Sequence, residues 1–101
     1  MKTYCFDIDG TLCHTTGSDY ENSIPNYERI KIVNELFESG HTIILFTARG
    51  STTGINWHEV THDQVTKWGI KFHELRLGKP SADIYIDDKG INDLDFFLEK
   101  K

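Results

Sequence analysis

Residues 4–12 read Tyr4-Cys5-Phe6-Asp7-Ile8-Asp9-Gly10-Thr11-Leu12, a run of strand formers that ends in two carboxylates at i and i+2 and then a glycine. A short apolar strand is normally buried. A carboxylate carried on its end is costly to desolvate unless a cation neutralises it. Two such acids followed at once by a turn residue place a reaction centre at the carboxyl edge of an open α/β sheet.

Outward from this stretch, apolar strand-like runs recur at about 42–47 and 83–87, with a weaker one near 72–76. Helical spacing lies between them. Tyr27, Ile30, Val33, Leu36 and Phe37 share a face over 26–39, with Ile32 beside Val33 and Gly40 as the stop. Trp57, Val60, Val65 and Trp68 do the same over 56–68 before Gly69, and Ile91, Leu94, Phe97 and Leu98 over 91–98. Strands alternating with helices predict right-handed crossovers and a mostly parallel, doubly wound sheet. Residues 13–25 are polar and read as a loop above the end of the first strand.

The chain of 101 residues is read as one domain, 1–101, large enough for a single core and too small for an elaborate substrate domain. The hydrophobic fraction of 38% is adequate for a globular fold, no run is long enough for a membrane span, and no signal peptide is expected. A net charge of −5, without a basic stripe or a Lys/Arg cluster longer than the terminal Lys100-Lys101, removes the electrostatic footprint of nucleic-acid binding. Cys5 and Cys13 are too few for a disulfide framework, so a reducing cytoplasm is expected. Cys5 is read as a small buried hydrophobe, and nothing beside Cys13 marks it as reactive.

All three good strands end in polar, reactive residues. The first ends at Asp7-Ile8-Asp9-Gly10-Thr11, the second at Phe46-Thr47-Ala48-Arg49-Gly50 and the third at Ile86-Asp87-Asp88-Lys89, with Gly78-Lys79-Pro80 just before it. Parallel strand ends share one edge, so residues forty positions apart can converge there. Two acid pairs, a hydroxyl and a lysine suit a phosphate-and-metal site: carboxylates for Mg²⁺, cationic and hydroxyl donors for phosphoryl oxygens. Taken singly, each motif has an ordinary reading. Asp9-Gly10 would be a strand exit, Thr47 a helix cap, Lys79 a solvated loop lysine and Asp87-Asp88 an acidic turn. Those readings do not explain four motifs at strand ends in one order.

That order, Asp-x-Asp-Gly-Thr, strand-terminal Thr, Lys, then Asp-Asp, resembles the four motifs of the haloacid dehalogenase superfamily and covers essentially the whole chain. The resemblance implies a three-layer Rossmann-like fold with a mostly parallel central sheet. It implies a phosphomonoesterase, because aspartate at the first motif position marks phosphate chemistry. Asp7 would be the nucleophile that forms an aspartyl-phosphate. Asp9 would protonate the leaving oxygen and deprotonate the attacking water, and its backbone carbonyl would ligate Mg²⁺. Thr47 would hydrogen-bond the phosphoryl group, and Lys79 would hold Asp7 and phosphate together. Asp7, Asp9 and Asp87 would ligate the metal, with Asp88 in or next to its shell, and Gly10, Thr11, Ala48 and Arg49 would border the substrate. Arg49 is equally read as half of a surface ion pair, and His14, Lys89 and Asn92 stand close to the motifs in sequence.

The gaps at 12–41 and 50–78 leave no room for a cap domain. An open site implies a bulky substrate or an oligomer whose neighbour covers the pocket, with 13–25 as the local lid. The runs Leu45-Phe46-Thr47-Ala48-Arg49, Lys67-Trp68-Gly69-Ile70 and Gly78-Lys79-Pro80-Ser81-Ala82-Asp83-Ile84-Tyr85-Ile86-Asp87-Asp88 are similar to those of small capless members associated with bacterial capsule or surface-polysaccharide biosynthesis. A sugar, polyol or amino-alcohol phosphate is the substrate class this implies. A competing zinc signature, His58-Glu59-Val60-Thr61-His62, matches His-Glu-x-x-His on a helix. Its third ligand would have to be His73 or Glu74, and the pair is expected on the solvated face opposite Val60 and Val65. A non-catalytic binding or assembly protein is the remaining alternative, against which the complete motif set argues.

Overall fold

The structure, a computed structural model, describes residues 1–98; the terminal Lys100-Lys101 pair lies outside the described residues. Strand β1 (Thr3–Asp7) lies in a parallel sheet with β4 (Thr42–Thr47) and β5 (Glu74–Leu77), in the order β1-β4-β5. Register aligns Asp7 with Phe46 and Thr47 with Leu77, so the polar strand ends share one edge. A small antiparallel pair, β2 (Cys13–His14) with β3 (Ile24–Pro25), folds the 13–25 stretch into a hairpin carrying one 3-10 turn at Tyr20–Asn22. Helix α1 (Tyr27–Glu38) links β1 to β4, α2 (His58–Lys67) links β4 to β5, and α3 (Asp93–Leu98) ends the described chain.

Local chemistry explains the boundaries. The Asn26 side chain accepts from the Arg29 amide at 3.2 Å and caps α1, and Gly40 closes the helix with φ +93°. Gly50 is required on two counts: φ is +78°, and a Cβ there would lie 2.1 Å from the Ile55 carbonyl oxygen. Along β4 burial alternates, with Ile43, Leu45 and Thr47 fully buried between half-buried neighbours.

Each crossover steps one strand in the same direction, and right-handed connections then put α1 and α2 on one face of the sheet. A single core agrees: Phe6, Ile43 and Leu45 pack with Ile30 and Val33 of α1, Val65 of α2 and Phe97 of α3. The Phe96 and Phe97 rings sit 5.6 and 6.0 Å from that of Phe6.

The α/β class and the parallel sheet are as expected, but two expectations are corrected. The segment 83–87 is not a strand; Ile84 is 75% exposed and Ile86 92%. The third strand is instead formed by the weaker candidate, at Glu74–Leu77. Ile84-Tyr85-Ile86 has the right residue types, but strand propensity is realised only against a partner strand and a covered face. Without that strand, β1 stands at the sheet edge and the described residues make two layers rather than three. The face bearing Cys5, Ile44 and Phe46 has no helix over it among the described residues, so Cys5 is exposed rather than a core residue.

Leu45→Ala is expected to cost about 2–5 kcal/mol, while Ile86→Ala stays within about 0.5 kcal/mol. Urea denaturation of the two variants measures both; an Ile86 cost comparable to that of Leu45 would contradict an exposed 83–87 segment.

Candidate functional site

The site forms where the hairpin, β4 and the residues after β5 meet the end of β1. The Asp7 carboxylate accepts from Lys79 Nζ at 3.2 Å through Oδ1 and from Thr11 Oγ1 at 3.2 Å through Oδ2. Lys79 is carried there by its backbone, whose N–H donates to the Thr47 carbonyl at 3.1 Å, and its ammonium also sits 4.3 Å from the centre of the Tyr85 ring. Thr11 is placed by the turn at Gly10 (φ +85°), with the Thr11 and Leu12 amides donating to the Ile8 carbonyl.

Asp9 faces a different environment. Arg49 grips it in a fork, Nε to Oδ2 and Nη2 to Oδ1, both at 2.8 Å. Thr15 Oγ1 donates to Oδ1 at 2.6 Å, Thr47 Oγ1 to Oδ2 at 3.3 Å, and Cys13 Sγ to Oδ1 at 3.5 Å. Thr47 is fully buried, and its hydroxyl also accepts from the Arg49 amide at 3.1 Å, which fixes the turn that leaves β4.

The two acids two residues apart are therefore tuned in opposite directions. Burial pushes the Asp7 carboxyl above its ordinary value, and Lys79 and Thr11 only partly offset it. Burial also raises Asp9, but the hydrogen bonds from Arg49, Thr15 and Cys13, together with the guanidinium charge, overcome it and hold that carboxyl below the usual range. The Cys13 thiol is raised, chiefly by burial, and is not a poised nucleophile.

Asp7, Asp9, Thr47 and Lys79 are thus brought together from three strands. The rest of the expected set is not. Asp87 and Asp88 lie on the exposed segment after Lys79, and Asp87 Oδ1 accepts from the Lys89 and Gly90 amides of its own turn. Among the described residues no group of three His, Cys, Asp or Glu could hold a metal ion. The Asp7 carboxylate faces Lys79 and the Asp9 carboxylate faces Arg49, so these two side chains and the Asp87-Asp88 pair do not form a four-acid cluster in this arrangement.

Arg49 pairs with Asp9 in the interior rather than at the surface. It is 2% exposed, and Nη1 donates to Gln64 Oε1 (2.7 Å) and Thr61 Oγ1 (3.2 Å) on α2. Thr11 orients Asp7, and Ala48 is half-buried with its carbonyl accepting from the Ser51 amide at 2.9 Å. His14 and Lys89 are exposed, and Asn92 accepts from the Leu94 amide at the start of α3. Thr15, Ser23, Thr61 and Gln64 enter the site without having been expected from sequence; the i, i+3 spacing of Thr61 and Gln64 on α2 is the single sequence sign that they share a face. His58 and His62 are exposed on α2 with ring centres 6.2 Å apart, on the solvated side as expected.

No family model matches this chain, and no curated protein matches it. Among solved structures it is similar to an MCSG target from Vibrio cholerae, with TM-score 0.83 and 28% identity over 95% of this chain and 87% of that one. It is also similar in fold to a chain of a Pnkp1/Rnl/Hen1 complex (TM-score 0.61, 24% identity, 98% of this chain and 34% of that one). A chain of the Pnkp1/Rnl/Hen1 RNA repair complex gives TM-score 0.60 and 23% identity, over 98% of this chain and 32% of that one.

Opposite tuning predicts opposite responses. Asp9→Asn strips the buried guanidinium of its counter-charge and is expected to cost about 3–5 kcal/mol, whereas Asp7→Asn stays within about 1 kcal/mol of the parent or gains. The folded pKa of Asp9 is depressed, so its stabilisation is complete above the unfolded value of about 3.9 and is lost as pH falls through the folded value. Urea midpoints taken from pH 6 downward are expected to fall more steeply below pH of about 4 in the parent than in Asp9→Asn.

Proposed function

We propose that this chain is a phosphomonoesterase of the haloacid dehalogenase type that works through an aspartyl-phosphate on Asp7. The observation that carries this reading is the convergence of Asp7, Asp9, Thr47 and Lys79 at one sheet edge, with Lys79 on one acid and Arg49 on the other. The two carboxylates are held apart electrostatically, which suits a division into nucleophile and proton carrier.

In the first step an Asp7 carboxylate oxygen forms a bond to phosphorus while the bond to the leaving oxygen breaks. Lys79 offsets the charge that accumulates between carboxylate and phosphoryl oxygens, and the Thr47 hydroxyl lies beside Asp9 to orient the group. The arriving phosphoryl dianion raises the proton affinity of Asp9, which takes up a proton from solvent and hands it to the leaving alkoxide. In the second step Asp9, again a carboxylate, takes a proton from water as the water oxygen attacks phosphorus and the Asp7–phosphorus bond breaks. The Arg49 fork then favours release of that proton to solvent and returns Asp9 to the carboxylate before the next turnover.

Mg²⁺ belongs to the proposal on the strength of the acid-rich motifs, and when bound it would neutralise phosphoryl charge. A small ester, such as a sugar, polyol or amino-alcohol phosphate, is the proposed substrate. A role in capsule or surface-polysaccharide synthesis, a cytoplasmic setting and an oligomer that covers the open site extend the same resemblance. The net charge of −5 argues against a nucleic-acid substrate. One observation favours a second reading, a non-catalytic phosphate binder: Asp87 and Asp88 stand away from the other acids.

With p-nitrophenyl phosphate and Mg²⁺, turnover is expected, abolished by Asp7→Asn and by EDTA. Activity is expected to decline toward acid pH as Asp7 protonates, at a pH above the ordinary aspartate value of about 3.9. Phosphate binding without turnover across a panel of small esters would favour the binder.

A further inference from the structure

The buried guanidinium of Arg49 has more partners than its hold on Asp9 requires. Beyond that fork, Nη1 reaches Gln64 Oε1 at 2.7 Å, and the guanidinium carbon lies 4.7 Å from the centre of the Tyr20 ring. Gln64 uses both ends of its amide: its carbonyl accepts from Arg49, and its Nε2 donates to the Tyr20 carbonyl in the hairpin loop. That same carbonyl accepts from Ser23 Oγ at 2.8 Å; Ser23 Oγ and Thr15 Oγ1 are 2.6 Å apart, and Thr15 donates to Asp9 at 2.6 Å. One chain of hydrogen bonds therefore runs from Asp9 through Arg49, Gln64 and the Tyr20 carbonyl to Ser23, and Thr15 joins it at Asp9. Trp57 flanks it edge-on to Tyr20, with ring centres 5.0 Å apart. Among the described residues no buried side-chain nitrogen or oxygen lacks a partner, so moving any member of this chain breaks a bond that is already made.

We infer that Gln64, on α2, is a positioning residue that makes the seating of the 15–23 loop and the orientation of the Asp9 carboxylate a single unit. This rests on the phosphatase reading of Asp9. With Gln64 in place, the loop cannot lift without taking a donor from Tyr20, and Arg49 cannot turn without losing an acceptor. A leaving group that displaces the loop therefore reaches the orientation of the proton carrier through the Gln64 amide. The role differs from packing because Gln64 is only half-buried and its two bonds point to different partners.

The test compares esters that differ in their need for a proton. Nitrophenolate leaves unaided, whereas the alkoxide of glycerol phosphate must be protonated by Asp9. Gln64→Leu is expected to lower kcat for glycerol phosphate about tenfold more than for p-nitrophenyl phosphate, general-acid assistance contributing about 10²–10⁴-fold when intact. Amide exchange at Ser23, whose N–H is bonded to the Tyr20 carbonyl at 3.2 Å, is expected to speed up in the same variant. An equal fall for both esters, or unchanged Ser23 exchange, overturns the inference. Should Gln64→Leu fail to fold, Gln64→Glu replaces it: an acceptor for Arg49 is kept and the donor to Tyr20 is lost. That variant is expected to release the Ser23 amide while shifting the ratio between the esters less. If the parent protein hydrolyses neither ester, the phosphatase reading fails, and Ser23 exchange alone decides whether Gln64 ties the loop down.

Discussion

Everything at the carboxyl edge of this sheet depends on one buried fork, the two-bond contact of Arg49 with Asp9. A guanidinium that is 2% exposed cannot stand there uncompensated. Its requirements place Asp9, Thr61 and Gln64, and through them the hairpin and α2. Removing either partner of such a pair leaves a buried charge, so the cost of the fork is recovered only while both halves are present. The contact is thus a commitment of the fold as much as a feature of the site.

Beside it, the Lys79–Asp7 contact shows how the same elements produce a different result. Both acids lie within three positions of the end of β1, and both face a cation. A single ammonium contact at 3.2 Å leaves the burial penalty on Asp7 uppermost, whereas a bidentate guanidinium with three further donors reverses it on Asp9. The difference between one point charge and a planar fork separates two otherwise equivalent carboxylates.

The sequence made Asp7, Asp9, Thr47 and Lys79 legible because each stands where an apolar run meets a turn, and a parallel sheet must bring such ends to one edge. It misplaced Arg49 because residue type carries no depth: an arginine two positions beyond a strand reads as solvent-facing until α2 and the hairpin close over it. Thr15 and Gln64 were invisible for the same reason, since their partners lie across the tertiary fold and no local pattern encodes them. The 83–87 run misled because Ile84, Tyr85 and Ile86 satisfy strand propensity without a neighbour to pair with, while the charged and modest Glu74–Leu77 found β4 beside it. Cys5 was misread for a related reason: strand sequence does not say which face is covered, and no helix lies over the face that carries it among the described residues.

The separations spanned by these contacts carry a consequence for the order in which the protein becomes itself. Asp9 meets Arg49 across 40 positions, but Asp7 meets Lys79 across 72. A chain emerging from the ribosome can therefore close the guanidinium fork while still lacking the lysine. The half of the centre that sets one carboxylate is available early, and the half that steadies the other waits for most of the polypeptide. The separations thus allow this edge to assemble in sequence, with Asp9 paired before Asp7 gains its counter-charge.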